Sequence, residues 1–299
     1  MNKGVVSVLV AYLIWGLYPF YFHAMQHVVP TEIVIHRVLW TFALLAVYLF
    51  CSRRWRWIQK AITDRRTVAV FLMSSVLITA NWSTYIYAIV TNQTLEASLG
   101  YFMNPLVSVL LGTVFLKEKL NKAQMLAIVF ACAGVMWVTF KQGEFPALGL
   151  TLALSFGFYG LVRKMAPLGS LEGLTLETAF AFPVALLATF YFAGNGDLTF
   201  VHGTSWDKFW LIMAGPITTI PLILFAYGLK QVPYSTVGFI QYLSPTMVFF
   251  IGLFFFGEEL QVDRLIGFIL IWAGVLIFVG ENFFRSHSGY RTEFNQLSK

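Results

Sequence analysis

Apolar blocks of about 20 residues recur ten times along this chain, at 4–23, 31–51, 67–90, 95–116, 122–140, 147–163, 171–193, 207–229, 234–256 and 264–283, each bounded by charged residues, Pro or Gly. An α-helix rises about 1.5 Å per residue, so a block of that length crosses the roughly 30 Å of hydrocarbon in a bilayer with its backbone amides paired inside the segment. The pattern predicts an all-α membrane protein with ten transmembrane helices. Composition agrees, because 58% hydrophobic and 11% charged residues over 299 positions leave more apolar surface than a soluble domain of this length can cover. Connections are short except for a basic stretch at 52–66 and a Gly-rich polar stretch at 194–206, and neither can hold a soluble domain. The first block carries Trp15, Tyr18 and Tyr21 and is followed by no small-x-small cleavage pattern, so it reads as a retained helix. Cys51 and Cys132 stand in no metal or redox spacing.

Charge sets the orientation. With a cytoplasmic N-terminus, sixteen of the 20 Lys and Arg residues fall on inner segments, only Lys141, Lys208 and Arg264 on outer ones, and Arg37 inside a block. The positive-inside rule then puts both termini in the cytoplasm. The net charge of +6 follows from topology, and no nucleic-acid partner is needed to explain it. Attraction of 52–66 to anionic lipid heads is expected.

The phrase VFLKEKL at 114–120 returns at 254–260 as FFFGEEL. At an offset of 140, Pro105, Gly112, Phe115, Glu118, Leu120, Ala133, Gly134 and Val135 meet Pro245, Gly252, Phe255, Glu258, Leu260, Ala273, Gly274 and Val275. The chain therefore reads as a duplication, 1–141 and 142–299, of five helices each. Five is odd, so the second copy starts on the opposite side of the membrane and the repeats are inverted. The lysines of KEKLNK are lost from GEELQVDR because the second loop lies outside. Inverted repeats of this kind are characteristic of secondary carriers that expose a midplane site alternately to each side, although channels also contain duplications.

The phrases AYLIWGLYPFYF, EIVIHRVLW, LITANWSTYIYAI, LEASLGYFMNPLVSVLLG, SFGFYGLVRKM, LETAFAFP and GFIQYLSPTMVFF resemble those of RarD proteins, members of the EamA family in the drug/metabolite transporter superfamily. The likeness covers nearly the whole chain, and HR-x-x-W with EASLGYF-x-NPL is specific to that branch. It implies ten helices in two inverted repeats, a multi-pass protein of the bacterial inner membrane, and transport of a small organic solute. RarD proteins are often labelled chloramphenicol-sensitive proteins or permeases.

Polar residues at mid-depth are the candidate site, because an ionised side chain there costs about 2.5–3.5 kcal/mol even on the lenient insertion scale. His36 and Arg37 lie about two turns into the second block, with Trp40 one turn on, and Glu177 occupies the inverted position in the seventh. The functional reading has Arg37 holding an anionic substrate group or a carboxylate such as Glu177, while His36 or Glu177 titrates. The structural alternative is an ion pair or a snorkelling Arg37. Asn81, Trp82 and Tyr85 in the third block and Tyr101 and Asn104 in the fourth make polar stripes, matched by Thr219 and Phe225 in the eighth and Gln241, Tyr242 and Ser244 in the ninth. Together they suggest a cavity lined by blocks three, four, eight and nine; taken singly, each is as well explained by helix–helix hydrogen bonding. Pro105 and Pro245 are candidate hinges, or passive kinks. Glu96 caps the fourth block and is a candidate gate residue.

These readings predict a permease or exporter of an amino acid, related metabolite or amphiphilic drug, with protons as the candidate coupling ion and membrane lipids as surroundings. Facilitated diffusion fits as well. The alternatives are a passive channel or a membrane-embedded transferase; against an enzyme stand the missing H-E-x-x-H, phosphate loop, clustered Asp and Cys–His grouping. No cofactor, metal or obligate protein partner is expected.

Overall fold

A computed structural model describes residues 2–53, 55–91, 94–142, 146–196, 198–257 and 262–297; for 89, 90, 94–98, 142 and 282–297 it describes the backbone alone. Among the described residues all regular structure is helical: α1 Lys3–Gly16, α2 Tyr18–Ala24, α3 Pro30–Ser52, α4 Arg56–Thr63, α5 Arg65–Val90, α6 Thr94–Phe115, α7 Lys122–Gln142, α8 Ala147–Met165, α9 Ser170–Gly194, α10 Thr199–His202, α11 Ser205–Leu229, α12 Tyr234–Gln241, α13 Leu243–Phe255 and α14 Val262–Leu297.

Eight stretches are long and apolar enough to cross a membrane: Lys3–Ala24, Pro30–Ser52, Arg65–Ala88, Lys122–Lys141, Ser170–Gly194, Ser205–Leu229, Tyr234–Phe255 and Val262–Glu281. Large apolar side chains such as Phe140, Phe254 and Leu276 point outward and are 72–76% exposed, as lipid-facing residues are. The chain is a multi-pass membrane protein.

Proline chemistry explains the breaks. A proline lacks the N–H that would bond four residues back, and its ring crowds that carbonyl. Pro19 follows the break at Leu17 between α1 and α2, and Pro245 follows the break at Tyr242 between α12 and α13. Pro105, the residue 140 positions before Pro245, sits inside an α6 that runs without interruption. The two candidate hinges are thus unlike: one lies in a broken span and one in a continuous helix. The basic stretch 52–66 contains the short helix α4, whose Trp57 and Ala61 pack against α5 and the turn after α8.

The helices pack in a regular scheme. α11 lies against α1 and α3, α8 against α5 and α6, α9 against α3 and α5, and α12 against α6. α7 and α14 form the most extensive pair. A methyl group on Gly134 would come within 2.6 Å of the Gly267 carbonyl, and one on Gly274 within 2.6 Å of the Ala127 carbonyl, so glycine lets these two backbones touch. At the centre of the bundle Tyr12, Trp15, Phe156, Tyr159 and Phe225 form one aromatic cluster.

One end of the bundle is fastened by charge. The Lys164 ammonium at the end of α8 donates to the carbonyls of Leu229 and Val232 (2.7 and 2.6 Å), while Lys230 at the end of α11 donates to those of Ala166 and Leu168. Each lysine thus satisfies carbonyls left open at the other helix's C-terminus. Partial burial holds the Lys230 ammonium below the usual lysine range. Beside this clasp Glu118, in the turn before α7, accepts hydrogen bonds from the Tyr234 and Ser235 amides (2.6 and 2.8 Å) and caps α12.

Candidate functional site

α3 starts on Pro30, whose missing N–H costs nothing in the first helical turn, and carries Glu32 where a carboxylate suits the positive helix end. Glu32 is 2% exposed and does more than that: it accepts hydrogen bonds from the Thr199 and Phe200 amides (2.9 and 2.7 Å), tying α10 to α3. One turn on, His36 lies 3.8 Å from Glu32 and takes a hydrogen bond on Nδ1 from the Trp40 indole (2.9 Å). Its ring rests 4.7 Å from that of Phe200. Histidine 36 is held by its own neighbours.

Arg37 follows His36 and projects about 100° further round the helix, toward α11 and α5. Its Nε donates to the Thr218 hydroxyl at 3.0 Å, and its guanidinium carbon stands 4.3 Å over the Trp82 ring. The phenols of Tyr18, Tyr21, Tyr85 and Tyr101 lie within the field of this charge. Tyr18 and Tyr21 are anchored through their hydroxyls to the carbonyls of Ile217 and Trp210 (2.8 and 3.3 Å). Tyr85 and Tyr101 meet edge to face with centroids 6.1 Å apart. Tyr101 is 50% exposed. Among the described residues no carboxylate stands within 4.0 Å of Arg37.

The expected contact between Arg37 and Glu177 is not formed. Glu177, 2% exposed on α9, pairs instead with Arg163 from the last turn of α8, at 3.4 Å. It accepts hydrogen bonds from the Ser74 and Tyr159 hydroxyls, while Ser75 donates to its backbone carbonyl at 2.8 Å. Arg163 also donates to the Ser170 carbonyl (3.0 Å) and sits 5.4 Å from the Phe71 ring centroid. The short turn from α8 to α9 delivers Arg163 to Glu177 before Arg37 could reach it. A cavity of about 10 Å³, room for roughly one water, reaches both Glu177 and Trp82, so the two charged clusters share a wall.

Of the other sequence candidates, Asn81 is spent on α8, where it donates to the Leu152 carbonyl and the Ser155 hydroxyl (2.9 and 3.0 Å). Thr219 bonds the Gly215 carbonyl of its own helix, and Phe225 is sealed in the aromatic cluster. Gln241 donates to the Tyr12 hydroxyl at 2.6 Å. Asn104 Oδ1, Gln241 Oε1 and the Tyr242 hydroxyl are buried with no hydrogen-bond partner among the described residues. Ser244 is half-buried in the first turn of α13, and the Glu96 side chain lies outside the described residues. The structure thus gathers Arg37, Trp82, Tyr85 and Tyr101 and places Asn81, Thr219 and Phe225 in helix contacts. Tyr18, Tyr21 and Thr218 join the site unforeseen; the nearest signal was the Tyr-x-x-Tyr spacing in the first block, which reads equally as an interfacial belt.

The sequence profile of the EamA-like transporter family matches this chain twice, over residues 2–140 and 146–280. The chain belongs to the EamA-like transporter family. Its relatives include the uncharacterized transporter YojE of Bacillus subtilis, 40% identical over 282 residues and 93% of each chain. An uncharacterized transporter of Pseudomonas aeruginosa is 38% identical over 278 residues, again 93% of each. Protein RarD of Escherichia coli is 38% identical over 93% of this chain and 94% of its own. A crystal structure of a protein only 14% identical shares the fold of this EamA-family chain, with a TM-score of 0.68 over 92% of this chain and 98% of that one.

Proposed function

We propose that this EamA-family protein is a secondary transporter, a permease or exporter that moves a small organic solute across the bacterial inner membrane by alternating access. The reading takes ten spans, with α6 and α8 added to the eight stretches above, in two inverted repeats of residues 1–141 and 142–299 with cytoplasmic termini. Two observations support the repeats. The family profile matches each half separately. The packing scheme also keeps its form when α1, α3, α5, α6 and α7 are exchanged with α8, α9, α11, α12–α13 and α14: α1 on α11 becomes α8 on α5, and α3 on α11 becomes α9 on α5.

Arg37 carries the proposal: a permanent cation on a membrane-spanning helix, walled by aromatic rings and without a protein carboxylate among the described residues. A group so costly to bury is explained by a ligand. The lysine clasp and the Glu118 cap fasten one end of the bundle, which the charge distribution assigns to the cytoplasm, and the reading takes this end as the closed one. Protons are the candidate coupling ion, with His36 and Glu177 as the groups to test.

The test is made on purified protein in liposomes loaded with amino acids, related metabolites and chloramphenicol. Mass spectrometry follows which compounds leave, with and without a pH gradient. Selective, saturable loss accelerated by the gradient is expected. Flux too fast for a carrier, without counterflow, would mean a channel, and no selective loss from a broadened panel would overturn the transport reading.

A further inference from the structure

We infer that the solute held at Arg37 is an organic anion, a carboxylate carrying a flat apolar body, rather than a neutral or cationic compound. The inference rests on the substrate-site reading above and goes further by naming the class. Arginine cannot shed its charge in a protein, so burial cannot be relieved by deprotonation. Other buried carboxylates in the membrane-spanning segments have partners: Glu177 has Arg163, Glu32 accepts from two amides, and Asp207 has His27. Arg37 has a hydroxyl and an indole face, and neither cancels its charge.

The way Arg37 is already held decides which of its donors remain. Nε is used by Thr218, and the guanidinium carbon rests 4.3 Å from the centroid of the Trp82 ring. The two Nη groups form no hydrogen bond with a described residue, and they are not among the polar atoms sealed from solvent. What is left is the terminal edge of the guanidinium, two parallel N–H groups whose spacing fits the two oxygens of a carboxylate. The group is pre-oriented, because Thr218 and Trp82 fix both its rotation and its tilt, which lowers the ordering cost of binding. Tyr85 and Tyr101, within the field of that charge, meet edge to face, and the half-exposed ring of Tyr101 offers an aromatic surface for a planar body. An ammonium group placed at the same point would meet the like charge of Arg37.

The measurement is ligand-dependent stabilisation of the purified full-length protein in detergent, titrated with three probes of one shape: phenylacetate, phenylacetamide and phenethylamine. Saturable stabilisation by phenylacetate is expected at concentrations at least 10-fold below those needed for the amide or the amine. Arg37→Gln is expected to remove that difference, and Arg37→Lys to retain part of it; gel-filtration profiles and unliganded melting points of both variants show whether they are folded. Equal response to acid and amide, discrimination that survives in Arg37→Gln, or no saturable response to the anion would each overturn the inference. Flux in liposomes separates this failure from that of the carrier reading. If the native protein carries a neutral or cationic solute and not the anion, the anion assignment falls and the carrier stands; if the native protein carries nothing, the carrier reading falls.

Discussion

Replacing Arg163 by Met should destabilise the protein strongly. Arg163 and Glu177 are each about 2% exposed, and Met keeps much of the packing volume while deleting the cation. Removing one partner of a buried ion pair strands the other, at a cost of about 3–5 kcal/mol. Glu177 keeps its hydrogen bonds from Ser74 and Tyr159, so the loss should fall at the lower end, about 3 kcal/mol. The decisive comparison is with the double variant Arg163→Met/Glu177→Gln. Gln removes the stranded charge, its amide oxygen accepts from one of the two hydroxyls and its NH2 can donate to the oxygen of the other, so the double variant should regain about 2 kcal/mol of the loss, a coupling well outside additivity. Thermal unfolding of detergent-solubilised protein, supported by reversible SDS titration, measures both. If single and double variants prove equally unstable, the cost lies in lost packing against Phe71 and the ion-pair argument is wrong.

Other elements allow shorter tests. Glu118→Ala uncovers two α12 amides and should lower stability by about 1–2 kcal/mol, read as a drop in melting point; an unchanged midpoint would mean the cap is idle. Gly134→Val drives a side chain into the Gly267 carbonyl and should cost about 1–3 kcal/mol or prevent assembly of the α7–α14 pair, seen in the yield and melting point of purified protein. Asp64 opens α5, and the bonded Thr67 hydroxyl, aided by the Arg66 and Thr67 amides, holds its carboxyl below the usual aspartate range. A depressed folded value stabilises above the unfolded value of about 3.9 and is lost as pH falls through the folded one. The melting-point gap between native and Asp64→Ala protein should therefore be constant above about pH 5 and close below about pH 4.

The helical character was legible because hydrocarbon imposes one length and one pairing rule, and eight stretches of the structure are helices long and apolar enough to cross a membrane. Arg37 was legible for the same reason, being a charge where charge is costly. Its aromatic surroundings were half legible: Trp82, Tyr85 and Tyr101 lie in visible polar stripes, whereas Tyr18 and Thr218 come from helices whose rotation the pattern leaves open. The partner of Glu177 was missed because Arg163 sits at the end of a block beside Lys164, where basic residues are counted as topology signals. In the fold only Lys164 reaches the end-cap carbonyls, and Arg163 turns inward. The Glu118 cap was not legible for a similar reason, since a loop carboxylate among lysines gives no hint of amides more than 110 residues away.

That distance has a consequence for how the protein is made. Glu118 leaves the ribosome 116 residues before Tyr234, the first residue it caps. At roughly 5–20 residues per second, synthesis of the intervening chain lasts several seconds, far longer than a helix needs to form. Throughout that interval the first half sits in the membrane with its carboxylate waiting and Arg37 without Thr218, which arrives 181 residues after it. The first half is therefore a substrate for the insertion machinery before it is a folded unit, and a message cut after residue 141 should yield a fragment destined for proteolysis unless the second half is supplied from another message.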